Sequence, residues 1–417
     1  MKKKEKPKKR TFARRLLTCT MLFYFLAFGL LFLYAYDVRA LVLALAVPAL
    51  IFVSVRGFPR LFPSDRLLLS LCSFLASLGV LVLYRLNPDR GISQLINYGI
   101  AIAAMLGCTV ALRYIRRWRL LAILAVPASI GLLALPLIYG SEINGAKNWV
   151  TLFGYGFQPS EIVKLGLVVS LAWLLSRRRL IVGIVLTGIC LGFLMLQKDM
   201  GTALLYFGMA LMMMYVSTGS PLILLGGAAA GAAGAYIGYM RFAHVKVRVA
   251  VWMNPWNDRQ GTGYQIVQGL IAIANGGLWG TGLRLGNPGV IPASYNDYIF
   301  TVICHEFGVL FGLGVLIIYL AMVLRGLAIA RQADNRFHAL LALGCTVMLG
   351  LQMFIIVAGN IKLIPLTGVT LPLISYGGTS LVSSMCLIGV LQGVSAANRA
   401  RMDQAREDAL YEGEDAL

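Results

Sequence analysis

LIVGIVLTGICLGFLMLQKDMGTALLYFGMALMMMYVST, residues 180–218, consists of two apolar runs separated by Gln197, Lys198 and Asp199. Each run approaches the ~20 residues with which a helix crosses a ~30 Å hydrocarbon layer. Neither shows the alternation of apolar and polar residues that a membrane barrel strand needs. Three consecutive arginines, Arg177 to Arg179, precede them, and clustered cations of this kind mark the cytoplasmic side of a membrane protein.

The rest of the chain follows the same pattern. Of its 417 residues, 59% are hydrophobic and 13% charged, whereas a soluble domain carries about 25% charged residues. A soluble globule, a disordered tail and a porin are thereby excluded. Hydropathy gives about twelve spans, near 16–36, 39–55, 67–84, 94–112, 119–139, 160–176, 180–196, 200–217, 221–240, 298–324, 338–358 and 373–396. An even count places both termini on one side. It also gathers Arg56/Arg60/Arg66, Arg113/Arg116/Arg117/Arg119, Arg177/Arg178/Arg179, Arg325/Arg331/Arg336 and Arg399/Arg401/Arg406 on that side, which the charge rule makes cytoplasmic. Topology therefore accounts for the net charge of +20, and no nucleic-acid partner is expected. The seven cysteines form no C-x-x-C pair and are read as small packing residues.

The expected organisation is a basic cytoplasmic tail (1–15), two N-terminal transmembrane helices (16–60), a main membrane domain (61–396) and a cytoplasmic C-terminal tail (397–417). Three external segments are unusual: 140–159, 241–297 and the stretch from Asn360 to Thr370. The second is far longer than the ~12–15 residues at which a structureless loop becomes unusual, so re-entrant or interfacial helices are expected in it.

Ionisable side chains at membrane depth cost at least ~2.5–3.5 kcal/mol on insertion scales, so each should be paired or line a wet cavity. In GFQPSEIVK, Pro159 starts a helix, and Glu161 and Lys164 share one of its faces as an intrahelical pair or as substrate contacts. Lys198 and Asp199 stand at a helix start, either as a cap or in a site. In SYNDYIFTVICHEFG, Asp297 enters the membrane first, with His305 and Glu306 two turns deeper; the HExxH spacing of a zinc protease is lacking. Arg241, Lys246 and Arg248 stand among Trp252, Trp256 and Tyr264. That mixture suits a phosphate-bearing lipid headgroup, or an ordinary aromatic belt with snorkelling cations. The glycines of NGGLWGTGLRLGNPG lack the frame of a nucleotide site. LTGVTLPLISYGGTS gathers hydroxyls, Ser375 and Tyr376 among them, at a span's external start.

Taken in order, NGAKNWVTLFGYGFQPSEIVK, KDMGTAL, RVAVWMNPWNDRQGTGYQIVQGLIAIANGGLWGTGL, NDYIFTVICHEFG and IPLTGVTLPLISYGGTSL resemble the motifs of the SEDS family, which includes RodA, FtsW and SpoVE. The resemblance runs from about residue 66 to 396. It implies an all-α polytopic membrane protein, a ten-helix core with two additional N-terminal transmembrane helices. It also implies a peptidoglycan glycosyltransferase that polymerises lipid II at the outer face of the bacterial cytoplasmic membrane, in elongation, division or sporulation, beside a class B penicillin-binding protein. Asp297 matches the family's catalytic aspartate. Around it the pattern departs: Ala293 follows Pro292, Tyr295-Asn296 precede Asp297, and Cys304-His305 precede Glu306.

The chemistry fits this inventory. An acceptor hydroxyl needs one general base, and a pyrophosphate leaving group departs without an acid if cations meet its charge. Asp297 is the expected base, and Arg248, with Lys246 or Arg241, the expected pyrophosphate ligand. Glu161, Lys164, Ser375 and Tyr376 would shape the cavity and Trp149 its mouth. No resident cofactor is expected, although a divalent ion, Mg or Mn, could bridge pyrophosphate and carboxylate. Membrane lipids, lipid II and the growing glycan are the other expected partners. The rival readings are a flippase for a lipid-linked sugar and a noncatalytic scaffold of a cell-wall complex.

Overall fold

A computed structural model describes residues 6–115, 118–143, 145–152 and 154–414. Arg116 and Arg117 and the outermost residues of both tails lie outside them. The helices, in chain order, are α1 (Lys6–Ala35), α2 (Val38–Phe52), continued by a π turn (Val53–Gly57) into the short α3 (Phe58–Leu61), α4 (Arg66–Leu86), α5 (Pro88–Tyr114) and α6 (Trp118–Tyr139). A small sheet follows: β1 (Ser141–Ile143), β2 (Ala146–Leu152) and β3 (Tyr155–Phe157), antiparallel in that order. The chain continues through α7 (Pro159–Ser176), α8 (Leu180–Leu196), α9 (Met200–Thr218), α10 (Pro221–Arg241), α11 (Ala243–Met253) and α12 (Tyr264–Gly276). It ends with α13 (Ile299–Phe307), α14 (Val309–Arg331), α15 (Arg336–Asn360) and α16 (Gly378–Glu414).

Eleven of the described helices are long and apolar enough to cross a membrane, and the 17-residue α8 is a shorter apolar helix. The protein is a polytopic all-α membrane protein apart from the three-stranded sheet, which hydropathy does not register. Two differences from the sequence reading bear on the site. The expected span 298–324 is broken at Gly308, whose φ of +89° suits glycine; only α14 crosses, and α13 is a separate nine-residue helix. The last span starts at Gly378 rather than at 373, because 366–377 runs as extended chain and turns. As expected, the long segment 241–297 contains helices, α11 and α12.

Contacts sort the helix ends into two groups. At one end, Asp65 caps α4 through Leu68 N (3.0 Å) and accepts from Arg325 Nε of α14 (2.7 Å), while Arg399 of α16 stands 3.7 Å away. Gln392 binds the Asp65 backbone on both sides. Asp65 is buried and Arg325 and Arg399 are partly exposed, so the pairing is screened, but the lost cap and acceptor are not. Asp65→Ala is expected to destabilise the protein by about 2–3 kcal/mol, read as a lower thermal midpoint in detergent; an unchanged midpoint would contradict the arrangement.

At the other end, α1 and α2 fasten to α4 and α5. Tyr84 donates to Asp37 (2.7 Å) and Arg39 bridges Asp37 and Asp89, while midway along α1 and α4 Tyr24 donates to the Phe74 carbonyl (2.6 Å). Hydrogen bonds from Arg39, then Tyr84, hold the Asp37 carboxyl down to about 2.

Candidate active site

Asp297 lies in the connection just before α13, half-buried. Its backbone is fixed rather than its carboxylate. Asn360, at the buried end of α15, donates to the Asp297 carbonyl (2.6 Å) and accepts from Thr301 (3.1 Å). One residue earlier, Ser375 donates to the Asn296 carbonyl (2.7 Å) and accepts from Leu371 N (2.8 Å). Tyr376 N donates to the Tyr295 carbonyl (2.9 Å), and the Arg90 guanidinium covers the Tyr295 ring at 3.6 Å. Ser375 and Tyr376 therefore clamp the strand carrying the acid, rather than standing free to meet a substrate.

α11 supplies the opposing charge. His244, Arg248 and Trp252 recur every four residues, which puts them on one helix face. Trp252 Nε1 donates to the Lys362 carbonyl (3.1 Å), and Arg248 Nη1 to the carbonyls of Thr367 (3.0 Å) and Leu366 (3.4 Å). The contact turns on Gly368 (φ +78°): a Cβ there would lie 3.7 Å from Asp297 Oδ2 and 3.8 Å from Arg248 Nη2. Carboxylate and guanidinium thus converge on a position without a side chain, and they do not form an ion pair within 4.0 Å. Burial pushes the Asp297 carboxyl up to about 6, a rise that the Arg248 charge moderates. Burial, with the charges of Arg248 and Lys198, lowers His244, and Lys198 itself stands 3.8 Å from Glu142.

The other expected cations are not brought here. Lys246 lies two residues from Arg248, about 200° around the helix, exposed and without a side-chain hydrogen bond or ion pair among the described residues. Arg241, at the end of α10, is likewise exposed and uncontacted. Trp149 sits half-buried on β2 against Gly156, with no side-chain hydrogen bond among the described residues. Its sheet is pinned by Asp199, which caps α9 through Thr202 N (3.0 Å) and accepts from Asn148 (2.9 Å) and Gln158 (3.0 Å).

Glu161 and Lys164 form the intrahelical pair, but in a wider network. Ser383 donates to Glu161 (2.7 Å), Lys164 donates to Gln352 (3.1 Å), and Gln352 donates to Thr370 (2.9 Å to its carbonyl), whose hydroxyl meets Ser380 (2.6 Å). The pair thereby supports the segment that carries Gly368. Lys164 is 2% exposed, so Glu161→Gln is expected to cost about 3–5 kcal/mol, since it strands a buried charge. Adding Lys164→Met should recover part of that loss in thermal unfolding. Independent, additive losses would contradict the pairing.

Glu306 is not deep in the membrane as the sequence reading had it. α13 ends after nine residues, leaving Glu306 buried 2.8 Å from Arg85 Nε at the end of α4, where Arg85 also donates to the Gly286 carbonyl (2.9 Å). Its short connection at Gly308 is what keeps it near the helix end. Asn360, Gln352, Arg85 and Arg90 are the polar groups that the sequence reading missed. Gln352 and Asn360 were visible as strong polar residues in or ending an apolar span. Among the described residues, no three His, Cys, Asp or Glu are grouped to hold a metal ion.

The FtsW/RodA/SpoVE cell cycle protein family matches residues 65–400. The chain belongs to this family. It is 33% identical over 369 residues to the peptidoglycan glycosyltransferase RodA of Mycobacterium tuberculosis, covering 81% of this chain and 79% of that one. It is 33% identical to a probable peptidoglycan glycosyltransferase FtsW of Geobacter metallireducens, covering 70% and 83%. Among solved structures, it resembles a chain of a peptidoglycan synthase complex studied for its coordination of polymerization and crosslinking (TM-score 0.67, 28% identity, 80% of this chain and 98% of that one). It also resembles the rod shape determining protein RodA of Thermus thermophilus (TM-score 0.57, 28% identity, 81% and 98%). The family match begins at Asp65, so α1, α2 and α3 lie outside it.

Proposed function

We propose that Asp297 is the general base of this chain's reaction, in a protein whose family makes it a peptidoglycan glycosyltransferase. The substrate is lipid II: the acceptor 4-hydroxyl gives its proton to Asp297 as it attacks the anomeric carbon, and the bond to the lipid pyrophosphate breaks. Arg248 meets the charge growing on that pyrophosphate. One displacement inverts an α-linked donor to a β-1,4 glycan. A retaining route would need a second carboxylate ~5–5.5 Å away, and the charged group that faces Asp297 across Gly368 is the Arg248 guanidinium.

The observation that supports this reading most is the unpaired carboxylate and guanidinium converging on Gly368. An acid raised to about 6 still holds its proton-accepting form at neutral pH and accepts a proton more readily than an ordinary carboxylate. A resident divalent ion does not fit this donor set, a single carboxylate facing a guanidinium.

The reaction belongs on the outer face of the cytoplasmic membrane, with both termini in the cytoplasm, because the basic connectors lie at the helix ends opposite Asp297. A class B penicillin-binding protein is the proposed partner, in keeping with the synthase complex that the fold resembles. The test is polymer formation from purified lipid II, with headgroup translocation across liposomes followed in parallel. Polymer from the wild type is expected. Translocation without polymer would replace this reading with a flippase.

A further inference from the structure

A second candidate site lies at the end of the bundle away from Asp297. The start of α6, the end of α7 and the start of α15 border an open cavity of about 500 Å³ lined by Trp118, Arg119, Trp173, Arg177, Phe337 and His338. α15 alone, 25 residues from Arg336 to Asn360, separates it from the candidate active site by roughly 37 Å at 1.5 Å per residue. Nothing in the proposed chemistry uses it.

We propose that this cavity binds the phosphate headgroup of an anionic phospholipid in the leaflet at that end. Three observations on different residues lead there. First, Arg119 and Arg177 have no carboxylate within 4.0 Å and no side-chain hydrogen bond among the described residues. Elsewhere at this end Arg325 and Arg399 share Asp65, and Arg401 pairs with Asp334. Two exposed guanidiniums at one cavity without a counter-ion favour an anion, and their planar forks match a phosphate's oxygens.

Second, the cavity walls are aromatic. Trp118 and Phe337 pack at 5.4 Å between ring centroids, and Arg179 lies over Trp173 at 5.8 Å. Amphipathic rings of this kind belong at the depth of lipid headgroups. Third, Leu120 lines the same cavity and is 52% exposed on the outer wall of α6, so the floor continues into a surface that acyl chains cover. A free phosphate uses the arginines alone; a phosphatidylcholine brings a cation that competes with them. An anionic lipid satisfies both the charge and the apolar wall, and basic pockets between transmembrane helices are established binders of such headgroups.

The experiment uses the full chain purified and delipidated in a neutral detergent, with its thermal midpoint followed against phosphatidylglycerol, phosphatidylcholine and inorganic phosphate. Phosphatidylglycerol is expected to raise the midpoint by several degrees, and the other two to leave it unchanged. Arg119→Gln with Arg177→Gln should raise the half-saturating phosphatidylglycerol concentration at least about tenfold, a loss of ~1.4 kcal/mol. Arg178→Gln, on the same connector but outside the cavity lining, should behave as wild type. An equal response to phosphatidylcholine or to phosphate would overturn the proposal. So would an undiminished response in the double variant, or an equal loss in Arg178→Gln.

Discussion

Asp297→Asn is expected to lower glycan polymerisation from lipid II by about 10²–10⁴-fold, the range a positioned general base contributes, without loss of fold. The substitution keeps the shape and the backbone bond from Asn360 but removes the proton acceptor. A pH series sharpens the test. With the carboxyl raised to about 6, the wild-type rate should fall roughly tenfold per unit below that value as the base becomes protonated, and the residual rate of the variant should not follow it. Stability moves the opposite way. A carboxyl whose folded value is raised favours the fold while protonated; that contribution is complete below the ordinary carboxylate value and is lost as pH rises through about 6. Asparagine has no charge to acquire, so the variant should melt above the wild type at pH 7.5 and nearly with it at pH 4. An unaltered polymerisation rate in a protein that melts normally would remove Asp297 from the mechanism.

How far the sequence revealed this arrangement depends on the range of each interaction. The helices followed from apolar runs, a local property, and α7, α9 and α10 lie within a few residues of their expected places. The break at Gly308 did not, because hydropathy averages His305 and Glu306 into the apolar residues around them and does not register a φ of +89°. The small sheet was invisible for a related reason: two of its strands are three residues long, and it is fixed by Asp199 from another part of the chain. In the site, Asp297 and the Glu161–Lys164 pair were legible because charge in an apolar context is conspicuous. The roles of Ser375 and Tyr376 were not, since their partners at 295 and 296 are some eighty residues away. Lys246 was grouped with Arg248 by proximity along the chain; helical periodicity sets the two on different faces, and only the 244–248–252 face meets the segment from Lys362 to Gly368.

Arg248→Gln is expected to lower turnover by about 10²–10³-fold, the cost of removing one donor aimed at developing charge. The rate constant should fall more than the Michaelis constant rises, because the pyrophosphate gains charge as the glycosidic bond breaks and the guanidinium is worth most then. A second consequence follows from the geometry at Gly368. The same guanidinium partly offsets the burial that raises the Asp297 carboxyl, so its loss should move the acid limb of the rate profile to higher pH. Arg248→Lys should return the limb towards its wild-type position while recovering only part of the turnover, since an ammonium keeps the charge but not the fork that reaches Leu366 and Thr367. These readouts separate two roles. If Arg248 served only to strap α11 to the segment before Gly368, both variants would lose thermal stability and activity together, and the limb would stay in place. A limb that moves upward in the glutamine variant and back in the lysine variant requires the charge itself to face the carboxylate across the gap.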